Sequence, residues 1–129
     1  MTLLIDSAVY IGFLRQGIDF RQRLLPALRA GDLYGCGVVR AEVLRGVKSP
    51  KLKTELEAFF DILPEVPTDA RMWRHISEIG WALGRKGKWP PVTDLAIAAC
   101  AMRIGATLIS PDAHFVDIPN LSLRSELPD

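Results

Sequence analysis

Short apolar runs alternate along this chain with longer helical stretches, and this alternation restricts the fold more than any other feature. Thr2 to Ile5 is the first such run and ends in Asp6. Leu33 to Gly37 is the second, and Thr107 to Ile109 the third, followed by Ser110-Pro111-Asp112. Leu121 to Leu123 adds a last short strand. Apolar strands separated by helices cannot pair as hairpins, so they favour a parallel sheet whose two faces are both covered. The expected architecture is α/β, a three-layer α/β/α sandwich around a short, mainly parallel central sheet. In such folds a ligand sits in the crevice outside the C-terminal ends of the strands. Asp6 and Asp112 fall at those ends.

The intervening helices follow from periodicity and stop signals. One runs from Ser7 to Gln16 and stops at Gly17; another starts near Asp19, spaces Phe20, Leu24 and Leu28 four apart, and ends at Gly31. Val38 to Val47 turns helical after Gly35 and Gly37 and carries Glu42. Ser49-Pro50 reads as an N-cap with proline in the first turn, opening a helix whose apolar face is Leu52, Leu56, Phe59, Phe60 and Leu63. Thr68 can cap a longer helix with Met72, Ile76, Ile79 and Leu83 on one face, running to Gly84-Arg85-Lys86-Gly87-Lys88. The helix that bears Trp73 and Trp81 is expected to be mostly core, with a remaining apolar strip that could serve a dimer or take a partner's amphipathic helix. After Pro90-Pro91, Asp94 to Ile104 is an alanine-rich helix capped by Gly105.

A chain of 129 residues with 49% hydrophobic content suits one compact domain, residues 1–129. No apolar run reaches the roughly 18 residues of a membrane span, and the N-terminus lacks the basic start and apolar stretch of a signal peptide. The expected location is cytoplasmic. Cys36 and Cys100 sit among small or apolar neighbours outside any zinc-type spacing, which predicts buried free thiols.

Four carboxylates, Asp6, Glu42, Asp94 and Asp112, carry the chemical argument. Taken singly, Asp6 and Asp94 could each serve the start of a helix, Asp112 could belong to an ordinary turn, and Glu42 could pair with Arg40 or Arg45. Their joint pattern is more informative, because two leave strand ends and two lie in helices entering from the same edge of the sheet. Carboxylates gathered in one crevice repel one another unless protons or cations compensate them. Oxygen-only ligands favour Mg²⁺ or Mn²⁺ over zinc, and a cation so held leaves positions for a phosphate and a water nucleophile. The expected chemistry is hydrolysis of a phosphate ester. The hydroxyls of Ser7, Thr93 and Ser110 lie within two residues of these carboxylates and could orient them or cap helices.

The formal net charge is +1, from sixteen Lys and Arg against fifteen Asp and Glu. Setting the four carboxylates aside leaves 15 − 4 = 11 acids against 16 bases, a balance of +5 that permits a polyanionic partner. Arg85, Lys86, Lys88 and Trp89 interleave base and aromatic shortly before Asp94, a composition suited to phosphate contacts and base stacking or simply to a solvated loop. His114 can touch phosphate or pack locally, and His75 has no second ligand one turn away.

Leu4-Ile5-Asp6-Ser7, Val39-Arg40-Ala41-Glu42-Val43-Leu44-Arg45-Gly46, Asp94-Leu95-Ala96-Ile97-Ala98-Ala99 and Ser110-Pro111-Asp112-Ala113-His114-Phe115 together resemble the four acidic motifs of PIN-domain proteins. Their order and spacing are similar to those of the VapC toxins of toxin–antitoxin pairs over nearly the whole length. The resemblance implies a Mg²⁺- or Mn²⁺-dependent endoribonuclease with Asp6, Glu42, Asp94 and Asp112 as catalytic and metal-binding residues. It also implies a homodimer, a cognate antitoxin protein as partner, and tRNA or ribosomal RNA as frequent substrates. Ala8 and the Ser110-Pro111 pair depart from the usual pattern and bear on fine positioning.

Two other classes stay open on the residues themselves. A different metal-dependent nuclease or phosphoesterase would use the same carboxylates, although a haloacid-dehalogenase-type phosphatase needs an Asp where Ala8 stands. A non-catalytic metal-binding interaction module, such as a receiver, needs a lysine on a later strand, and Thr107 to Ile109 offers none.

Overall fold

The computed structural model describes residues 1–128. Five strands form one sheet: β1 (Leu3–Ile5), β2 (Leu33–Cys36), β3 (Glu65–Val66), β4 (Thr107–Ile109) and β5 (Ser122–Arg124). Six helices connect them: α1 (Ser7–Gln16), α2 (Phe20–Arg29), α3 (Gly37–Arg45), α4 (Pro50–Ile62), α5 (Ala70–Arg85) and α6 (Val92–Arg103). The strand order is β3-β2-β1-β4-β5, and every pairing is parallel. The architecture is the three-layer α/β/α sandwich expected from the alternation.

Parallel pairing explains the composition of the strands. β1 lies at the centre between β2 and β4, and all of its side chains are buried, so it can only be an unbroken apolar run. Leu3, Leu4 and Ile5 align with Thr107, Leu108 and Ile109 of β4, and the amide of Asp6 extends the ladder to the carbonyl of Ile109 at 3.0 Å. The edges are short and polar: β3 exposes Glu65, and β5 exposes Ser122 and Arg124, a composition that discourages further pairing. The chain leaves β1 for β2 on one side and reaches β4 on the other, so the point where strand order reverses lies between β1 and β4. That is where an open α/β sheet forms its crevice.

Helix signals were mostly local and the structure follows them. Gly17, Gly31 and Gly105 stand just past the ends of α1, α2 and α6 with φ of 69°, 73° and 63°, the left-handed conformation that costs glycine least. Ser49 caps α4 by accepting the Leu52 amide at 3.2 Å, with Pro50 behind it. Leu56, Phe59 and Phe60 of α4 are buried, and Phe59 and Phe60 meet Tyr10 edge-on with centroids 6.3 and 5.2 Å away. α6 is buried from Asp94 through Ala101, and its small side chains let α5 approach closely: a Cβ on Gly80 would lie 3.1 Å from Leu95. Cys36 and Cys100 are free and buried, as their surroundings predicted.

Several boundaries differ from the sequence expectation. Asp69, not Thr68, caps α5, since its carboxylate accepts the Met72 amide at 3.0 Å and also binds both terminal nitrogens of Arg103. α6 begins two residues before Asp94, and Gly37 belongs to α3 rather than to β2. Trp73 and Trp81 are not core: they are 44% and 65% exposed, while Met72, Ile76, Ile79 and Leu83 fill the buried face. No helix among the described residues is long and apolar enough to cross a membrane.

Candidate metal and nuclease site

Asp6 occupies the N-cap position of α1 yet makes no side-chain capping bond. Its carboxylate is 3% exposed and turns instead to hydroxyls: Ser110 donates to Oδ2 at 2.8 Å, and Ser7 Oγ lies 3.4 Å from Oδ1. Both donors come from the pairing of β1 with β4, because Ser7 follows β1 and Ser110 follows β4. Ser110 Oγ also accepts the amide of Asp112 at 3.0 Å, which ties the backbone of the fourth carboxylate to the side chain of the first.

Glu42 joins this group from α3. Ser7 donates to its Oε1 at 3.0 Å across a sequence distance of 35 residues. Arg40 does not pair with it; that guanidinium reaches Asp61 at 2.6 Å. The surface ion-pair explanation of Glu42 therefore fails for Arg40, and the side chain is held by a residue adjacent to Asp6.

Asp94 lies in the first turn of α6, where the helix dipole favours a carboxylate, but Pro91 holds the N-cap position. Its Oδ2 lies 2.8 Å from His114 Nδ1. Asp112 accepts the His114 amide at 2.9 Å and so caps a 3₁₀ turn, Ala113–Phe115, the turn role foreseen as its plain alternative. Its Oδ1 is also 3.3 Å from His114 Nδ1. Asp94, Asp112 and His114 thus each present a ligand atom within 4.8 Å of the others.

The four carboxylates form a row: Glu42 to Asp6 through Ser7, Asp6 to Asp112 through Ser110, Asp112 to Asp94 through His114. Burial pushes the Asp6 carboxyl above its ordinary pKa, Ser110 and Ser7 oppose this, and the Glu42 charge adds to it. Burial likewise raises Asp94; its bond to His114 opposes the shift, and the charges of Asp6 and Asp112 reinforce it. His114 is raised chiefly by its bond to Asp94 and then by Asp112. Among the described residues no Lys or Arg pairs with any of the four; their ion pairs go to Asp19, Glu55, Asp61, Glu57, Asp117 and Asp69. A row of hard oxygen donors whose mutual repulsion no lysine or arginine offsets among the described residues, and which only His114 meets as a cationic partner at its outer end, fits a divalent cation.

Sequence reasoning missed His114 as part of this arrangement, and it gave Thr93 a candidate role that the structure does not assign. Thr93 is exposed and makes no bond to a carboxylate among the described residues. The Arg85–Trp89 segment is tied to the turn after Asp112: Lys88 reaches Asp117 at 2.6 Å. Arg85 lies over the Trp81 ring at 4.9 Å, and Trp89 packs on Gly84 while staying 77% exposed.

The fold recurs in known structures. The chain is similar to one in the VapBC2 complex of Rickettsia felis bound to a promoter DNA fragment, with a TM-score of 0.79 and 22% identity over 96% of this chain and 98% of that one. It is similar to a chain of DNA-bound VapBC from Salmonella typhimurium, with a TM-score of 0.80 and 19% identity over 96% and 97%. VapBC-5 of Mycobacterium tuberculosis, a member of the VapBC family of toxin–antitoxin systems, gives 0.63 and 18% over 96% and 97%. At these identities the likeness speaks for the fold. No curated protein matches the sequence. The PIN-domain profile, however, matches residues 3–121, a span that begins with β1 and contains all four carboxylates. The acidic row at the β1–β4 crevice lies inside that match, and the chain belongs to the PIN-domain family.

Proposed function

We propose that this chain is a divalent-metal-dependent endoribonuclease, the toxin of a toxin–antitoxin pair, with Asp6, Glu42, Asp94 and Asp112 as its metal-binding and catalytic residues. PIN domains are in general nucleases that use divalent metals, and the observation that carries the reading here is the carboxylate row itself. Its members are joined by Ser7, Ser110 and His114, and none is neutralised by lysine or arginine among the described residues.

Asp6, Glu42, Asp94 and Asp112 would hold Mg²⁺ or Mn²⁺. Such a cation, when bound, lowers the pKa of an attacking water and stabilises the leaving oxygen of a phosphodiester. The chain's own residues supply placement. Ser110 fixes Asp6 Oδ2 and leaves the remaining lone pairs of that carboxylate for other partners; Ser7 fixes Glu42 Oε1 in the same way. Both carboxylates are held by neutral hydroxyls rather than by an internal ion pair with lysine or arginine. The net charge of +5 outside the four suits an RNA partner. The similar chains belong to VapBC complexes, which supports a cognate antitoxin as protein partner. The exposed Trp73 and Trp81 on α5 supply apolar surface that a second copy would cover, giving the homodimer.

The test adds purified, partner-free protein to total RNA with Mg²⁺, Mn²⁺ or EDTA and maps new ends by sequencing. Ends should appear with either metal, vanish with EDTA, and vanish in Asp6→Asn and Asp94→Asn. Metal-dependent ends that persist in both variants would show the site to be elsewhere. A chain that cuts DNA but not RNA would instead favour another metal-dependent nuclease with the same carboxylates.

A further inference from the structure

The outer end of the carboxylate row differs from the inner end in donor type. No hydroxyl reaches Asp94 or the Asp112 carboxylate among the described residues; what stands between them is the His114 imidazole, with Nδ1 at 2.8 Å from Asp94 Oδ2 and 3.3 Å from Asp112 Oδ1. Metal–ligand bonds of about 2.1 Å place neighbouring octahedral donors about 3 Å apart. The three ligand atoms all lie within 4.8 Å of one another, near enough to share one ion once Nδ1 exchanges its hydrogen bond to Asp94 for the metal.

Local structure holds the imidazole in this place. The His114 amide donates to Asp112 Oδ1 at 2.9 Å, so the 3₁₀ turn positions residue 114 and its carboxylate neighbour as a unit. Phe115, 1% exposed, anchors the turn in the core. The Lys88–Asp117 pair fastens the segment just beyond it to the loop that leads into α6. The His114 side chain itself is 53% exposed, open to an ion and its waters.

Resting on the metal-site reading above, we propose that His114 Nδ1 is a metal ligand together with Asp94 and Asp112, making this an N,O,O site selective for Mn²⁺ over Mg²⁺. Imidazole nitrogen suits the borderline transition ions, whereas magnesium prefers oxygen and keeps its water. An all-carboxylate site would hold the two ions through the same oxygens; a bound imidazole separates them. The four acidic positions alone do not imply this preference. It comes from the residue two places past Asp112.

The experiment uses the full chain stripped with EDTA and dialysed. Mn²⁺ is added, binding is followed by loss of the free-ion electron paramagnetic resonance signal, and the bound ion is examined by pulsed resonance for coupling to ¹⁴N. The wild type should show a directly bound imidazole nitrogen. His114→Gln, a change at a half-exposed side chain, should lose that coupling and bind Mn²⁺ about tenfold more weakly or worse, while Mg²⁺ affinity measured by competition changes less than about twofold. Bound Mn²⁺ that depends on Asp94 but lacks nitrogen coupling would overturn the role of His114 and leave the carboxylate site standing. Coupling that survives in His114→Gln would overturn it equally. If the wild type binds no Mn²⁺, or if Asp94→Asn binds it unchanged, the site reading fails and this inference falls with it.

Discussion

At the inner end of the row, hydroxyls beside two paired strands hold Asp6 and Glu42 with neutral hydrogen bonds, whereas at the outer end an exposed imidazole joins Asp94 to Asp112. The inner residues are far apart in sequence, at 6, 42 and 110, and meet because β1 pairs with β4 and packs beneath the start of α1. The outer residues depend on one helix turn and one 3₁₀ turn at the surface. The fold core dictates the first arrangement, so a substitution there disturbs the placement of charge. The second is fastened by surface contacts, so a substitution there alters which ion is held.

The sharpest way to test that contrast is Ser110→Ala. Ser110 is 2% exposed, donates to Asp6 and accepts from the Asp112 amide, so its loss frees both ends of the row at once. Removing a residue that orients a metal ligand costs roughly 10–100-fold in metal affinity or activity. We expect a fall of that size in RNA cleavage at subsaturating Mn²⁺, read as initial rates across a metal titration. A rate within about twofold of wild type would mean that the hydroxyls do not hold the inner end. Ser7→Ala should act in the same direction with a smaller effect, about tenfold, because Asp6 keeps Ser110 and loses only a long 3.4 Å contact, while Glu42 loses its partner.

A control outside both ends is Asp69→Ala. It removes the cap of α5 and the paired bonds to Arg103 of α6 while touching none of the carboxylates. Loss of such a cap costs about 1 kcal/mol, a lowering of the melting temperature by roughly 3–6 °C for a chain of this size. Cleavage per folded molecule at 25 °C should stay within about twofold of wild type. A loss of activity matching that of Ser110→Ala would show that the serine effect reports general loosening rather than placement of Asp6.

How much of this was legible in the sequence follows from the same physics. Asp6 and Asp112 could be placed because a parallel strand buried on both faces is an unbroken apolar run, and its end is visible as the first charge. The α5 face was equally visible at a period of 3.6, but a side chain one residue on from Met72 points about 100° away, which is why Trp73 stands in solvent. β3 has two residues and borrows its conformation from β2, with Gly35 aligned to Glu65 and Cys36 to Val66, so no periodicity could announce it. Thr68 and Asp69 are both good caps, and the choice fell to the one that Arg103, 34 residues away, could also bind. His114 was hidden for a similar reason: its partner Asp94 is 20 residues away, and only the docking of α6 against the 3₁₀ turn brings the two together.

The smallest effect we predict is a stability difference with a definite pH dependence, and it tests whether the inner end stores uncompensated charge. Burial raises the Asp6 carboxyl above its ordinary pKa, with Ser110 opposing and Glu42 adding. The folded chain therefore binds that proton more tightly than the unfolded chain does. This contribution to stability is fully present below the unfolded value and is lost as pH rises through the raised folded value. Asp6→Asn carries no such charge at any pH. Its melting temperature relative to wild type should rise from pH 3 to pH 7, ending no more than a few degrees above, in metal-free buffer. Saturating Mn²⁺ at pH 7 should reverse the order, because a cation bound by the wild type stabilises only the chain that keeps its carboxylate. If the variant instead loses stability relative to wild type as pH rises without metal, the Ser110 and Ser7 hydrogen bonds outweigh burial, and the inner end is a settled structural feature rather than one that a cation completes.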